Sequence, residues 1–329
     1  MILITGATGY IGSHIWLELL KNGQPAIGLD NFSNSSIEVL NRIEAISNQC
    51  PSFFQGDIRD FKCLNDLFSK YKFTHVIHLA ALKSVQESAA NKIEYFDVNV
   101  GGFQNLLRVM RLHDCTKIIF SSSAAVYSDK AISPISEMAE TAPSNYYGET
   151  KLEGERLLAD EFRRVPAISS ISLRCFNVAG NHSSGMLTNC VNSKSRSLFA
   201  EIERVALGET QSLPIYGIDW GTHDGTCIRD YLHVSDLVKG ITSSIELFNG
   251  GKICVSINLG LGMGKSVYEV IATYEHVSGR FIPRESSARR IGDVAVSFFN
   301  TQLATQLIDW RPTRSIPDIC LDSFRSCSL

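Results

Sequence analysis

The run ILITGATGYIGSH, residues 2–14, decides how the rest of this chain is read. Ile2–Thr5 is apolar and largely β-branched, the character of a short buried strand. Gly6, Gly9 and Gly12 follow at intervals of three, and helical periodicity starts directly after them. A glycine triplet alone is a weak signal. With an apolar strand before it and an amphipathic helix after it, the triplet reads as a dinucleotide-binding turn. The physical demand is backbone access: glycines let the chain turn tightly and let a pyrophosphate reach main-chain N–H groups at a helix N-terminus. Asp30 lies 18 residues beyond Gly12, at the end of the next apolar run. A carboxylate there accepts hydrogen bonds from a ribose diol and repels a 2′-phosphate, which favours NAD over NADP.

Outward from this turn, apolar runs at 2–5, 26–30, 52–55, 75–79, 117–121 and 168–174 alternate with helical patterns at 11–22, 61–70, 99–112 and 147–162. Strands alternating with helices require crossover connections and a parallel sheet. The expected fold is α/β: a doubly wound parallel Rossmann sheet over residues 1–175, the NAD-binding domain. Residues 176–329 are less regular and are expected to form a smaller α+β C-terminal substrate domain. That boundary is soft, and later segments are expected to pack back on the sheet.

Composition narrows the function classes. The chain has 31 basic and 34 acidic residues and no basic block, which speaks against a nucleic-acid partner. Its apolar runs are far shorter than a membrane span. It opens on a strand-like run, read as a start without a signal peptide. Nine cysteines, an odd number with no Cys-x-x-Cys pair, fit a reducing cytoplasm better than a disulfide scaffold. Cys227 and His233 are near in sequence but match no zinc spacing, so no metal is expected.

Chemistry concentrates in two stretches. In IIFSSSAAVYS, 118–128, serines end a buried strand, where ligands bind in open α/β sheets. In SNYYGETK, 144–151, Tyr147 precedes Lys151 by four residues and shares its helix face, whereas Tyr146 counts four to the uncharged Thr150. A free phenol, with a pKa of about 10, is a poor base at neutral pH, and a nearby ammonium favours phenolate. In GDIRD, Asp57 and Ile58 follow the third strand, where an acid can reach the adenine edge or cap the loop. In LAALKS, the alanines after the fourth strand allow a flat cofactor close, and Lys83 can bind its ribose or simply face solvent.

With TGATGYIGSH, LDNFSNS, GDIRD, FSSSAAVY, YYGETK, LRCFNVAG, DGTCIRDYLHVSDL, INLGLGMGKSV and ARRIGD, the chain resembles the extended short-chain dehydrogenase/reductases, and within them the UDP-galactose 4-epimerase group. The resemblance runs from Met1 to about Trp310. It implies a catalytic set of Ser123, Tyr147 and Lys151. It implies cofactor contacts from Gly6, Gly9, Tyr10, Ile11, Gly12, Asp30, Asn31, Asn34, Ser35, Asp57, Ile58, Leu79, Ala80, Ala81, Lys83, Asn99, Ser121 and Cys175, together with Tyr147 and Lys151. For a UDP-sugar it implies Lys83, Ser123, Tyr147, Asn177, Ser197, Leu198, Tyr216, Arg229, Arg290, Asp293 and Ser297. Arg229 and Arg290 would grip the diphosphate, Asp293 the uridine ribose, and Tyr216 would border uracil.

The implied activity is NAD-dependent 4-epimerisation of UDP-hexoses. Related dehydratases carry acids just after the catalytic serine or threonine, where this chain has Ala124 and Ala125. The chain departs from the family's usual residues at Ser128, Glu149, Cys175, Arg196 and Ser197, and the departures at Ser197 and Cys175 bear on nucleotide binding. Ser297 is small where relatives restricted to plain hexoses carry tyrosine, which implies room for an N-acetyl group. Relatives pair as homodimers, which here would use 99–112 and 147–162. Two alternatives stay open: a sugar-nucleotide dehydratase or reductase of the same family, and a non-catalytic NAD-sensing relative.

Overall fold

The computed structural model describes residues 1–164, 166–188, 197–290 and 292–326. The chain groups into two compact units made of discontinuous segments. The first comprises Met1–Ser128, Glu140–Arg174 and Gly240–Ile257, and the second Asp129–Ala139, Cys175–Lys239 and Asn258–Leu329.

In the first unit, six strands alternate with helices. They are β1 Ile2–Thr5, β2 Ala26–Asp30, β3 Ser52–Gln55, β4 His75–His78, β5 Lys117–Ser121 and β6 Ser169–Cys175. The five pairings among them are all parallel. Sheet order is Cys254–Leu259, β6, β5, β4, β1, β2, β3. β1 therefore sits where the winding reverses, between β2 and β4, and this reversal creates the crevice that receives ligands in doubly wound sheets. The fold is the expected Rossmann-type α/β sheet.

The helices are α1 Tyr10–Lys21, α2 Glu38–Ser47, α3 Phe61–Lys70, α4 Val85–Ala90, α5 Lys92–Phe96, α6 Gly102–Leu112 and α7 Tyr146–Arg163. Leu3, Ile27, Val76, Ile118 and Phe120 of the strands pack with Leu64, Leu67, Phe103, Leu106 and Met110 of the helices in one buried cluster. The helix expected from Asn99 begins instead as a π-turn, Asp97–Gly101, that runs on into α6. α4 and α5 fall in a stretch too short to show periodicity, and the sequence reading passed over them.

The second unit is α+β. β7 Asn177–Ala179 pairs with β10 Tyr231–His233, and β8 Leu213–Tyr216 pairs with β13 Arg284–Ser287. β9 Ile228–Arg229 lies between β12 Lys265–Ser266 and β14 Val296–Ser297. α8 Leu198–Ala206, α10 Val267–Ser278 and α12 Ile316–Ser326 supply Ile202, Val270, Tyr274 and Ile319 to a separate core with Leu213 and Ile215. Among the described residues no helix is long and apolar enough to cross a membrane.

Candidate active site

The glycine turn is built as a cradle. Gly6 has φ +71, and a Cβ on it would lie 2.7 Å from the Ala80 backbone nitrogen. At Gly12 a Cβ would lie 2.1 Å from the Gly6 carbonyl oxygen. The turn therefore closes on itself only with hydrogen at these positions. Gly9 precedes α1, and no side chain caps that end of the helix. The first N–H groups and partial positive charge of a helix suit a pyrophosphate. Tyr10 and Ile11 form the first turn of α1.

Asp30 ends β2, nearly buried. Its carboxylate accepts from the backbone N–H groups of Thr8 (3.1 Å) and Phe32 (2.9 Å) and from the Ser35 hydroxyl (3.2 Å). It thereby ties the glycine turn to the loop that carries Asn31, Asn34 and Ser35. Asn31 in turn donates to Asp57 at 2.8 Å. Arg59 grips Asp57 through Nε at 3.0 Å and Nη2 at 2.8 Å, and these bonds hold the carboxyl down at about 2. Ile58, beside them, is buried.

Leu79, Ala80 and Ala81 follow β4, and the N–H groups of the first two point to Thr5. The Leu79 N–H donates to the Thr5 carbonyl at 3.1 Å and the Thr5 hydroxyl meets His78 Nδ1 at 2.7 Å. Burial, backed by the Lys151 charge, pushes His78 down to about 3, so its ring is neutral at physiological pH. Lys83 keeps accessible surface while protein crowds it on most sides, and the lost hydration lowers its ammonium pKa. Asn99 is buried. It brackets Leu82, accepting from its N–H at 2.8 Å and donating to its carbonyl at 3.0 Å, and also donates to the Thr150 hydroxyl at 3.0 Å. It secures α7 and the strand-end loop to each other.

α7 begins at Tyr146, with Asn145 accepting from the Gly148 N–H at 2.9 Å as its cap. The Tyr147 N–H donates to the buried Ser88 hydroxyl at 3.2 Å. The two tyrosines part ways here: Lys92 lies over the Tyr146 ring, whereas Lys151 Nζ lies 5.9 Å from the Tyr147 ring centroid. Lys151 is buried, donates to the Ser121 carbonyl at 2.8 Å and sits 4.9 Å from the Phe120 ring. Its ammonium is thus fixed to the end of β5. Ser123 follows in extended conformation, its hydroxyl accepting from the Ala125 N–H at 3.2 Å. A Cβ at Gly148 would come within 2.2 Å of the Ala125 carbonyl oxygen, so α7 lies flush on the turn that presents Ser123. The first unit therefore fixes Lys151 to Ser121 at the end of β5 and beside Tyr147, with α7 packed on the turn that follows Ser123.

In the second unit, Asn177 donates to the Asp230 carbonyl at 3.0 Å. Arg229 donates to Asp293 at 3.3 Å and sits opposite Ser297 in the β9–β14 ladder. The Arg290 guanidinium stacks 3.8 Å from the Tyr216 ring centroid. Ser197 caps α8, accepting from the Ala200 N–H at 3.4 Å, with Leu198 as the first helical residue. Arg196 lies outside the described residues. Asp230, next to Arg229, is fully buried and accepts from the N–H groups of Leu261 (2.6 Å), Gly262 (3.1 Å) and Phe299 (3.2 Å). Burial raises its carboxyl to about 6. It joins the stretches that carry Arg229 and Ser297. Cys175 ends β6, half-buried. Among the described residues no group of three His, Cys, Asp or Glu is arranged to hold a metal.

Sequence reasoning passed over four organising residues. Arg59 lies within GDIRD, Asp230 within CIRDY, and Arg174 within LRCFNVAG. Glu155 stands one turn beyond Lys151 on the same face, a spacing that was legible.

The model of the NAD dependent epimerase/dehydratase family matches residues 2–260, and the chain belongs to that family of enzymes, whose cofactor is NAD. Individual relatives are more specific. It is 41% identical over 326 residues to the UDP-glucose 4-epimerase of Yersinia enterocolitica, covering 98% of this chain and 96% of that protein. It superimposes with TM-score 0.96 and 36% identity on the UDP-glucose 4-epimerase of Stenotrophomonas maltophila with bound NAD and formylated UDP-arabinopyranose, covering 99% of this chain and 97% of the other. The UDP-Glc/GlcNAc 4-epimerase of Campylobacter jejuni gives TM-score 0.87 at 32% identity, covering 99% and 98%.

Proposed function

We propose that this protein is an NAD-dependent 4-epimerase of UDP-hexoses that works through a transient 4-keto sugar. The observation that carries this reading is Lys151, buried and bonded to the end of β5, beside Tyr147 on a helix lying flush on the Ser123 turn. A bound NAD, held by the glycine turn and Asp30, would supply the acceptor and later the donor of the hydride at the sugar carbon. Tyr147 accepts the proton of the 4-hydroxyl and later gives it back, favoured as phenolate by the Lys151 charge. Ser123 holds that hydroxyl in place, and Lys151 also anchors the nicotinamide ribose. Ala124 and Ala125 offer no acid to expel a hydroxyl as water, so hydride return is the remaining outcome. C4 inverts if the keto sugar presents its other face first.

In this reading residues 1–175 form the NAD-binding domain and 176–329 the UDP-sugar-binding domain, with later segments packing back on the sheet. The glycine turn, Asp30 and the residues following β3 and β4 take NAD. Arg229, Arg290, Asn177 and Asp293 take the nucleotide diphosphate, with Ser197 and Leu198 beside it, because fixed guanidinium forks match phosphate oxygens. Ser297 leaves space for an acetamido group, so UDP-N-acetylglucosamine and UDP-N-acetylgalactosamine join UDP-glucose and UDP-galactose as substrates. The protein is proposed to act as a cytoplasmic homodimer paired through 99–112 and 147–162.

The test is to supply each of these four UDP-sugars separately and resolve products by chromatography and mass. Each should give its C4 epimer at unchanged mass. A product lighter by one water, or no turnover of any of the four, contradicts the reading. Ser297→Tyr should abolish turnover of the acetylated pair and spare the plain hexoses; equal loss of both contradicts the assigned scope.

A further inference from the structure

Beneath the proposed catalytic residues lies a buried charged network that the chemistry above does not use. Glu155 stands four residues after Lys151 and eight after Tyr147, on the same face of α7. Its carboxylate accepts from the Ser122 hydroxyl at 2.5 Å, from Arg174 Nε at 2.9 Å and Nη2 at 2.6 Å, and from the Ser256 hydroxyl at 3.4 Å. Arg174 on β6 also donates to the Tyr127 hydroxyl at 2.8 Å and lies 4.8 Å from that ring's centroid. Both charged side chains are nearly sealed from solvent, at 6% and 9% exposed.

The connectivity is specific. Ser121 receives Lys151 through its carbonyl and Ser122 reaches Glu155 through its hydroxyl, so two consecutive residues of β5's end are fastened to α7. Ser123 is the next residue, and Tyr127 closes the turn that follows it. A buried ion pair is a poor source of net stability, because desolvation offsets most of its attraction. Its geometry is strict, since a bidentate guanidinium–carboxylate pair fixes both planes.

We infer that Glu155 and Arg174 are positioning residues for the reaction: they set the Ser123 hydroxyl in register with Tyr147 and Lys151. The inference rests on the proposed epimerase reading and adds the device that holds its geometry.

The experiment compares wild type, Glu155→Gln, Ser122→Ala and the apolar pair Glu155→Leu with Arg174→Met. Each is measured for kcat and KM with UDP-galactose, retained NAD and melting temperature. A misplacement of about 1 Å costs roughly 100-fold in rate. Glu155→Gln should therefore lose kcat on about that scale with KM and NAD content unchanged, and Ser122→Ala should lose less. The apolar pair should recover melting temperature without recovering kcat. Recovery of kcat along with melting temperature, or an undiminished kcat in Glu155→Gln, overturns the inference. So does a crystal structure of Glu155→Gln in which Ser123, Tyr147 and Lys151 keep their places. An inactive wild type strikes the epimerase reading instead, and that crystal structure still decides whether Glu155 sets the geometry.

Discussion

In the first unit, the residues proposed to handle NAD and the reacting hydroxyl stand at the ends of adjacent parallel strands and on one helix. Their positions follow from the sheet: β1 leads into the glycine turn, β2 ends at Asp30, and β5 ends at Ser121. In the second unit, Asn177, Arg229 and the pair Arg290 and Ser297 come from three stretches far apart in sequence, on strands of two or three residues or on loops. Individual side chains hold them, chiefly Asp230 through three backbone N–H groups and Tyr216 through its stack on Arg290. A regular sheet makes function steric and all-or-none. A site assembled from separate hydrogen bonds degrades by degrees.

That contrast can be broken from either side. The largest effect is expected at Gly12. Gly12→Val places carbon against the Gly6 carbonyl oxygen, where a Cβ would already sit at 2.1 Å. The variant should retain no NAD after purification, read by releasing nucleotide on denaturation. Normal NAD content would show that the cradle is not needed.

A graded effect is expected at Asp230. Asp230→Asn turns one accepting oxygen into a donor facing backbone N–H groups, and an unsatisfied buried group costs about 1–3 kcal/mol. KM for the UDP-sugar should rise roughly tenfold while NAD content holds. The pH dependence has a definite sign. Burial holds this carboxyl at about 6, above the ordinary aspartate value of 3.8. A carboxyl raised in this way contributes most stability when protonated, below about pH 4, and that contribution is lost as pH rises through about 6. The loss amounts to about 3 kcal/mol. Asn does not titrate, so the melting temperature of Asp230→Asn relative to wild type should improve from pH 4 to neutrality. A constant difference contradicts the assigned burial.

The smallest effect is expected at Tyr216. Replacing it by Leu removes a cation–π contact of about 0.5–1 kcal/mol. UDP-sugar affinity should fall about two- to fivefold, with kcat unchanged.

The same contrast explains what the sequence disclosed. The strand–turn–helix at the start was legible because its apolar run, glycines and periodicity are contiguous. Tyr147 was distinguishable from Tyr146 because helical spacing assigns each a different neighbour, and Lys92 indeed takes Tyr146. α4 and α5 were not legible, since helices of six and five residues show too little of a period. Yet Ser88 of α4 holds the first turn of α7. The Glu155–Arg174 pair spans 19 residues and meets only because β6 lies beside β5. Asp230 stood within a quoted motif, but its partners near 261 and 299 are brought to it by packing that no local pattern encodes.

The central claim is that the Tyr147 phenol moves the proton. The direct measurement is UDP-galactose turnover by Tyr147→Phe beside wild type, with folding and NAD content checked in both. Positioned acid–base catalysis contributes about 10²–10⁴-fold, so Tyr147→Phe should fall by that factor while keeping its NAD and its melting temperature. Turnover equal to wild type in a folded, NAD-loaded Tyr147→Phe would contradict the account.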